Sequence, residues 1–120
     1  MKKKTRLELD ITNPKFDPEK VFRAFGRALY NRLLMQISLN VPGKKPPTYD
    51  EYLNKCPIYS PDLFLLTNPR LPGSGTLNDQ ILSVFHQAGW VEKDIELSIK
   101  LGDLSICYYL TEKGKEFLRS

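Results

Sequence analysis

The spacing of apolar and polar positions changes period several times along the chain. Leu7, Leu9 and Ile11 alternate with Arg6, Glu8 and Asp10, the period of a strand with one buried face. Beyond the turn residues of "TNPKFDPEK" the period becomes helical. Phe22, Phe25, Leu29, Leu33 and Ile37 recur at intervals of three and four, which predicts a long helix with one buried stripe. Asp17 is its N-cap, Pro18 takes the first helical position and Glu19 sits in the first turn. The helix must stop before "NVPGKKPP", whose prolines and glycine cannot continue it. Lys20, Arg23, Arg27 and Asn31 form the opposite stripe.

"TYDEYLNKC" places Thr48 and Glu51 at capping-box spacing, for a second, short helix stopped by Pro57. In the connection that follows, Leu63 to Leu66 call for burial, as a further short helix beginning near Pro61 and ending before Asn68-Pro69. The next helix is signalled at both ends. Thr76 is the expected N-cap, with Asp79 three residues on; Leu77, Ile81, Val84, Phe85 and Ala88 make one apolar face, and Gly89 follows as the C′ residue. Then Ile95, Leu97, Ile99 and Leu101 alternate along one arm, and Leu104, Ile106, Tyr108 and Leu110 along another. Gly102-Asp103 between them predicts a β-hairpin. Thr111 is positioned to cap a short terminal helix in which Gly114 is a weak point.

With 120 residues, 41% of them hydrophobic and 27% charged, the chain has the size and composition of one soluble globular domain, residues 1–120. No apolar run approaches the ~20 residues that cross a bilayer. The basic start "MKKKTRLELDI" lacks the apolar stretch of a signal peptide, so the expected location is cytoplasmic, with no membrane partner. Cys56, Cys107 and the single histidine, His86, show no metal-ligand spacing, and neither a metal nor another cofactor is expected. No nucleophile and base stand at an activating spacing, so the chain does not read as an enzyme. The net charge of +4 is unevenly spread: residues 1–60 hold 12 Lys and Arg against 6 Asp and Glu, whereas residues 61–120 hold 6 against 8.

Strand, three helices, hairpin and helix is the element order of an α+β winged helix-turn-helix. This one has an extra N-terminal strand and a C-terminal β-hairpin wing. Within it, "AGWVEK", the hairpin and "YYLTEKGKEFL" resemble the closing half of winged helix-turn-helix regulators of the MarR and PadR kind, over residues 76–118. The resemblance implies a small transcriptional regulator that binds double-stranded DNA as a homodimer, with a recognition helix over 77–88 in the major groove. Carried onto this chain, Asn78, Gln80, Ser83 and Gln87 become the base-reading candidates, since Asn and Gln can read adenine bidentately. Ser74, Gly75 and Thr76 would offer backbone amides to a phosphate.

Phosphate neutralisation supplies most DNA affinity, yet this recognition helix carries no Lys or Arg, and its first turn contains Asp79. The cations that compensate lie elsewhere: Lys20, Arg23 and Arg27 on the first helix, the "KKK" start, Lys44 and Lys45 in the loop, and Lys100 in the wing. The first helix is also the expected dimer surface, through Tyr30, Leu34 and Met35. The same charge distribution fits a second reading, a winged helix that docks a protein partner or serves as a subunit of a larger assembly without touching DNA.

Overall fold

The structure, a computed structural model, describes residues 7–54, 56–100 and 107–120, with backbone alone at 97 and 98. Its elements are α1 (Pro18–Asn40), α2 (Tyr49–Leu53), β1 (Pro57–Tyr59), a 3-10 helix (Ser60–Leu65), α3 (Ser74–Gln87), β2 (Val91–Lys93), α4 (Ile95–Lys100), β3 (Cys107–Leu110) and α5 (Glu112–Arg119). The three strands form one antiparallel sheet in the order β1-β3-β2, so the domain is α+β.

Two helix starts form as their sequences specify. The Asp17 carboxylate accepts from the amides of Glu19 and Lys20, at 3.1 and 3.3 Å, and fixes the first turn of α1. At α2 the capping box is complete: Thr48 Oγ1 accepts from the Glu51 amide at 3.2 Å, and Glu51 Oε1 accepts from the Thr48 amide at 3.0 Å. Along α1, Val21, Phe22, Phe25 and Leu29 are fully buried. The expected stripe weakens beyond them, with Leu33 and Ile37 only half-buried. The last three turns of α1 therefore carry apolar residues that the core does not use.

The C-terminal end of α3 closes in a Schellman motif. Gly89 takes φ 81°, its amide bonds the His86 carbonyl at 3.0 Å, and the Trp90 amide bonds the Phe85 carbonyl at 3.1 Å. This reversal folds Trp90 back onto the core, where its ring stacks on Phe22 at 4.6 Å and on Phe117 at 4.9 Å. Thr111 caps α5 by accepting from the Gly114 amide at 3.0 Å, and its hydroxyl donates to the Gly89 carbonyl at 2.6 Å. Gly114 itself is a close-approach residue and not a weak point: a Cβ there would overlap the Trp90 carbonyl.

Several expectations are corrected. Residues 7–10 form no strand; Leu7, Leu9 and Ile11 pack half-buried on the core, and Asp10 turns the chain by accepting from the Thr12 amide and hydroxyl. Alternation sets which side is buried, but a strand also needs an edge to bond, and this segment joins none. Among the described residues the first strand is β1, between α2 and the 3-10 helix.

The hairpin arm expected at Ile95–Leu101 is α4 over Ile95–Lys100, with Ile95 and Ile99 69% and 68% exposed. Both edges of β3 are already bonded, to β1 and to β2, and isoleucines four apart fit a helix as well as a strand. The turn at Gly102-Asp103, with Leu101, Leu104 and Ile106, lies outside the described residues. The second arm holds at Tyr108 and Leu110, both buried on β3.

The sheet also keeps the two cysteines apart. Cys107 is the register partner of Tyr59, whereas Cys56 lies two residues before Ile58, the partner of Tyr108. Alternation puts the two thiols on opposite faces, out of reach of a disulfide. Both are free and buried.

Candidate nucleic-acid interface

α3 begins at Ser74, with Gly73 as its N-cap at φ 77°, and no side chain caps it. Thr76 therefore lies inside the first turn and is not the cap. Asp79, expected as its capping partner, instead accepts from the Ser60 hydroxyl at 2.7 Å and ties α3 to the start of the 3-10 helix. The buried side of α3 is Asn78, Ile81, Leu82 and Phe85. Opposite it, Thr76, Gln80, Ser83 and Gln87 are all exposed at intervals of four, three and four, which aligns them as one stripe. This outward stripe of α3 is thus uncharged and rich in hydrogen-bonding groups, with the exposed Asp79 at its margin.

Asn78 does not belong to that face. It is 1% exposed, and its Oδ1 accepts from the Thr67 hydroxyl at 2.7 Å. Thr67 also points its hydroxyl at the Leu63 carbonyl, at 3.1 Å, and a hydroxyl has one proton to give. Asn78 Nδ2 has no hydrogen-bond partner among the described residues. Helical geometry moved this residue inward: Asn78 stands three and four residues before Ile81 and Leu82, on the same side as both. Its polarity suggested exposure, and its spacing from the apolar residues was the signal to follow.

The phosphate candidates divide into separate groups. Lys20, Ser74, Thr76 and Gln80 line one broad cleft of about 1340 Å³ between the segment before α1 and the start of α3, joined there by Lys15, which the sequence did not single out. The carboxylates of this cleft are engaged locally. Glu8 accepts from Asn13 Nδ2 at 2.9 Å, Asp10 accepts from Thr12, and Asp17 caps α1. The Ser74 amide bonds the Leu71 carbonyl at 3.2 Å and is committed to the turn; Gly75 is exposed in the first turn of α3.

Arg23 and Arg27 lie outside the cleft. The Arg23 guanidinium stacks 4.2 Å from the centre of the Phe117 ring and donates to the Ser120 carbonyl, and that of Arg27 stacks 4.1 Å from the centre of Tyr49. Stacking fixes each guanidinium plane against an aromatic ring while both residues stay exposed. Lys44 and Lys45 are exposed in the loop after α1, and Lys100 is exposed at the end of α4.

At the other end of α3, His86 Nε2 lies 2.9 Å from Glu92 Oε1 on β2. This hydrogen bond holds the Glu92 carboxyl below the ordinary carboxylate range. Burial pushes both the Cys56 and Cys107 thiols up, which leaves them protonated and weakly nucleophilic near neutrality. Among the described residues no group of three His, Cys, Asp or Glu side chains is placed to hold a metal ion, and no described helix is long and apolar enough to cross a membrane.

No family model, curated protein or solved structure matches this chain.

Proposed function

We propose that this chain is a winged-helix DNA-binding module, with α3 as the recognition helix and the β2–β3 pair as the base of the wing. The observation that carries the reading is the outward stripe of α3. Thr76, Gln80, Ser83 and Gln87 present hydroxyls and amides, with no charge among them, directly opposite the helix's buried side. Such groups suit the donor and acceptor pattern of base edges in the major groove. The sheet order β1-β3-β2, with the 3-10 helix and α3 inserted between β1 and β2, also supports the reading. Phosphate contacts fall to Lys15 and Lys20 beside the α3 start and to the stacked Arg23 and Arg27, with Lys44, Lys45 and Lys100 farther out.

The test is fluorescence anisotropy of the purified protein with labelled duplex DNA, drawn from fragments around its own gene, at two salt concentrations. Binding that weakens steeply as salt rises and prefers some fragments is the expected result. Absence of binding at low salt by folded protein would overturn the reading.

A second reading, docking of a protein partner, is favoured by one observation. Ile95 and Ile99, one turn apart on α4, expose 69% and 68% of their surface between β2 and β3, where a phosphate-contacting wing would carry cations. A partner held there would bind with little dependence on salt.

A further inference from the structure

The end of α1 outruns the core. From Met35 to Pro46 every residue except Ile37 is exposed, and Met35, Leu39 and Val41 expose 65%, 73% and 48% of their surface. From Leu33 to Gly43 the chain carries no charge at all. The apolar residues here do not form one stripe: at about 100° per residue, the half-buried Leu33 and Ile37 stand opposite Met35 and Leu39, and Gln36, Ser38 and Asn40 between them are uncharged. The chain then turns back. The Val41 amide bonds the Ile37 carbonyl at 2.8 Å, Gly43 takes φ 87°, and the Tyr30 hydroxyl donates to the Pro47 carbonyl at 2.7 Å, which returns the loop to the side of α1. Lys44 and Lys45 therefore lie just behind an uncharged, largely apolar tip.

We propose that this tip inserts into the headgroup layer of a membrane that carries anionic lipids, with Lys44 and Lys45 against the lipid charges. The circumference of the helix selects this occupant. A protein groove takes one apolar face of a helix, whereas a helix end with apolar residues on opposite sides and no charge between them suits surroundings without a fixed shape. The depth agrees. Met35 to Asn40 span about 9 Å of helix, and apolar groups of surface-bound helices enter the headgroup boundary by about 5–10 Å.

The charges around the tip complement an anionic surface. Lys44 and Lys45 are exposed and have no ion-pair partner among the described residues. The carboxylates nearest in sequence are engaged: Asp50 pairs with Arg119, Glu51 accepts from the Thr48 amide, and Asp62, across from α1, pairs with Arg32. The expected absence of a membrane partner rested on the length needed to cross a bilayer, which no described helix has; resting on one needs only an apolar point with cations behind it. Of the residues expected at a dimer surface, Met35 belongs to this tip. Tyr30 packs against Tyr49 and Tyr52, and Leu34 is half-buried. The insertion does not depend on the DNA-binding reading.

The experiment is co-sedimentation of the full chain with phosphatidylcholine vesicles, with and without phosphatidylserine. The wild type should pellet with the serine-containing vesicles and be released as salt rises. Met35→Ser with Leu39→Ser, which leaves the charge unchanged, should weaken that binding by about tenfold or more. Lys44→Ala with Lys45→Ala should weaken it about 25-fold, since each lysine near an anionic surface contributes about fivefold. All four side chains are exposed, so circular dichroism of both variants should match the wild type. A wild type that stays in the supernatant with both vesicles would overturn the proposal. So would undiminished binding by Met35→Ser with Leu39→Ser, and undiminished binding by the lysine variant would overturn the role given to Lys44 and Lys45. Sedimentation equilibrium without lipid reads the competing occupant. A wild type at twice the chain mass of 13.9 kDa, reduced to the single mass by Met35→Ser with Leu39→Ser, would show that a second copy covers the tip and would likewise overturn the proposal.

Discussion

Arg32 and Asp62 form an ion pair 2.9 Å long that joins the middle of α1 to the 3-10 helix, and the second carboxylate oxygen of Asp62 accepts from the Tyr59 amide at 2.8 Å. One buried carboxylate thereby fixes where β1 ends, how the 3-10 helix begins and which side of α1 lies against both. The pair is asymmetric, because the Asp62 side chain is 10% exposed and that of Arg32 37%. Loss of the arginine would leave a buried charge with one amide for company. Arg32→Ala should therefore destabilise the fold by about 2 kcal/mol, and Asp62→Ala, which also frees the Tyr59 amide, by at least as much. Urea denaturation followed by tryptophan fluorescence measures both; a shift within error of the wild type would show that the pair is solvated in solution.

Gly114 is where α5 crosses the Trp90 carbonyl, and a methyl group there has no room. Gly114→Ala raises intrinsic helix propensity by up to ~1 kcal/mol, so an isolated helix would gain from it. In the folded protein the collision with backbone should outweigh that gain and lower stability by about 3 kcal/mol. Thermal unfolding decides the sign. A raised melting temperature would mean that α5 docks on Trp90 differently.

Under the DNA-binding reading, Gln80→Ala with Gln87→Ala should erode preference among DNA sequences while leaving overall affinity within a few-fold. Arg23→Glu with Arg27→Glu should weaken binding to all sequences alike and flatten its salt dependence. Asn78→Ala, by contrast, should leave sequence preference untouched and alter stability, because Asn78 is buried against Thr67. Anisotropy titrations over a panel of duplexes separate the three. A change of preference on Asn78→Ala without loss of stability would contradict the placement of that residue.

The His86–Glu92 contact gives a pH dependence whose sign is fixed. The hydrogen bond from His86 lowers the folded pKa of Glu92 beneath its unfolded value. The stabilisation is therefore present above the unfolded value of about 4.3 and is lost as pH falls through the folded value. Asp10 and Glu51 are lowered in the same way by Thr12 and Thr48. Glu92→Gln should leave a curve of stability against pH that is flatter than the wild type's below roughly pH 5. Denaturant midpoints taken from about pH 7 to about pH 3 test this; parallel curves would show that the contact does not persist in water.

Much of this fold is written locally. Asp17-Pro18, Thr48 with Glu51, Gly89 and Thr111 each satisfy or end a helix through groups within a few residues, so α1, α2, α5 and the end of α3 follow from the sequence alone, as does the buried side of α1 from Phe22 to Leu29; on α3 only Ile81 and Phe85 of the expected face are buried, with Leu82 and Asn78 beside them and Leu77, Val84 and Ala88 half-buried. What stayed hidden depended on partners distant in the chain. β1 exists because β3 offers it an edge, and residues 95–100 turn helical because β2 has taken the other. Asn78 goes inward because its side of α3 faces the 3-10 helix, and Gly114 is needed because Trp90 arrives there from 24 residues away. The candidate surface divides in the same manner: the hydrogen-bonding stripe of α3 is legible as a helical period, whereas only tertiary packing brings Lys20 beside it and stacks Arg23 and Arg27 elsewhere. Periodicity determines which side of an element seeks burial; the identity of the neighbour that provides it is a property of the assembled chain.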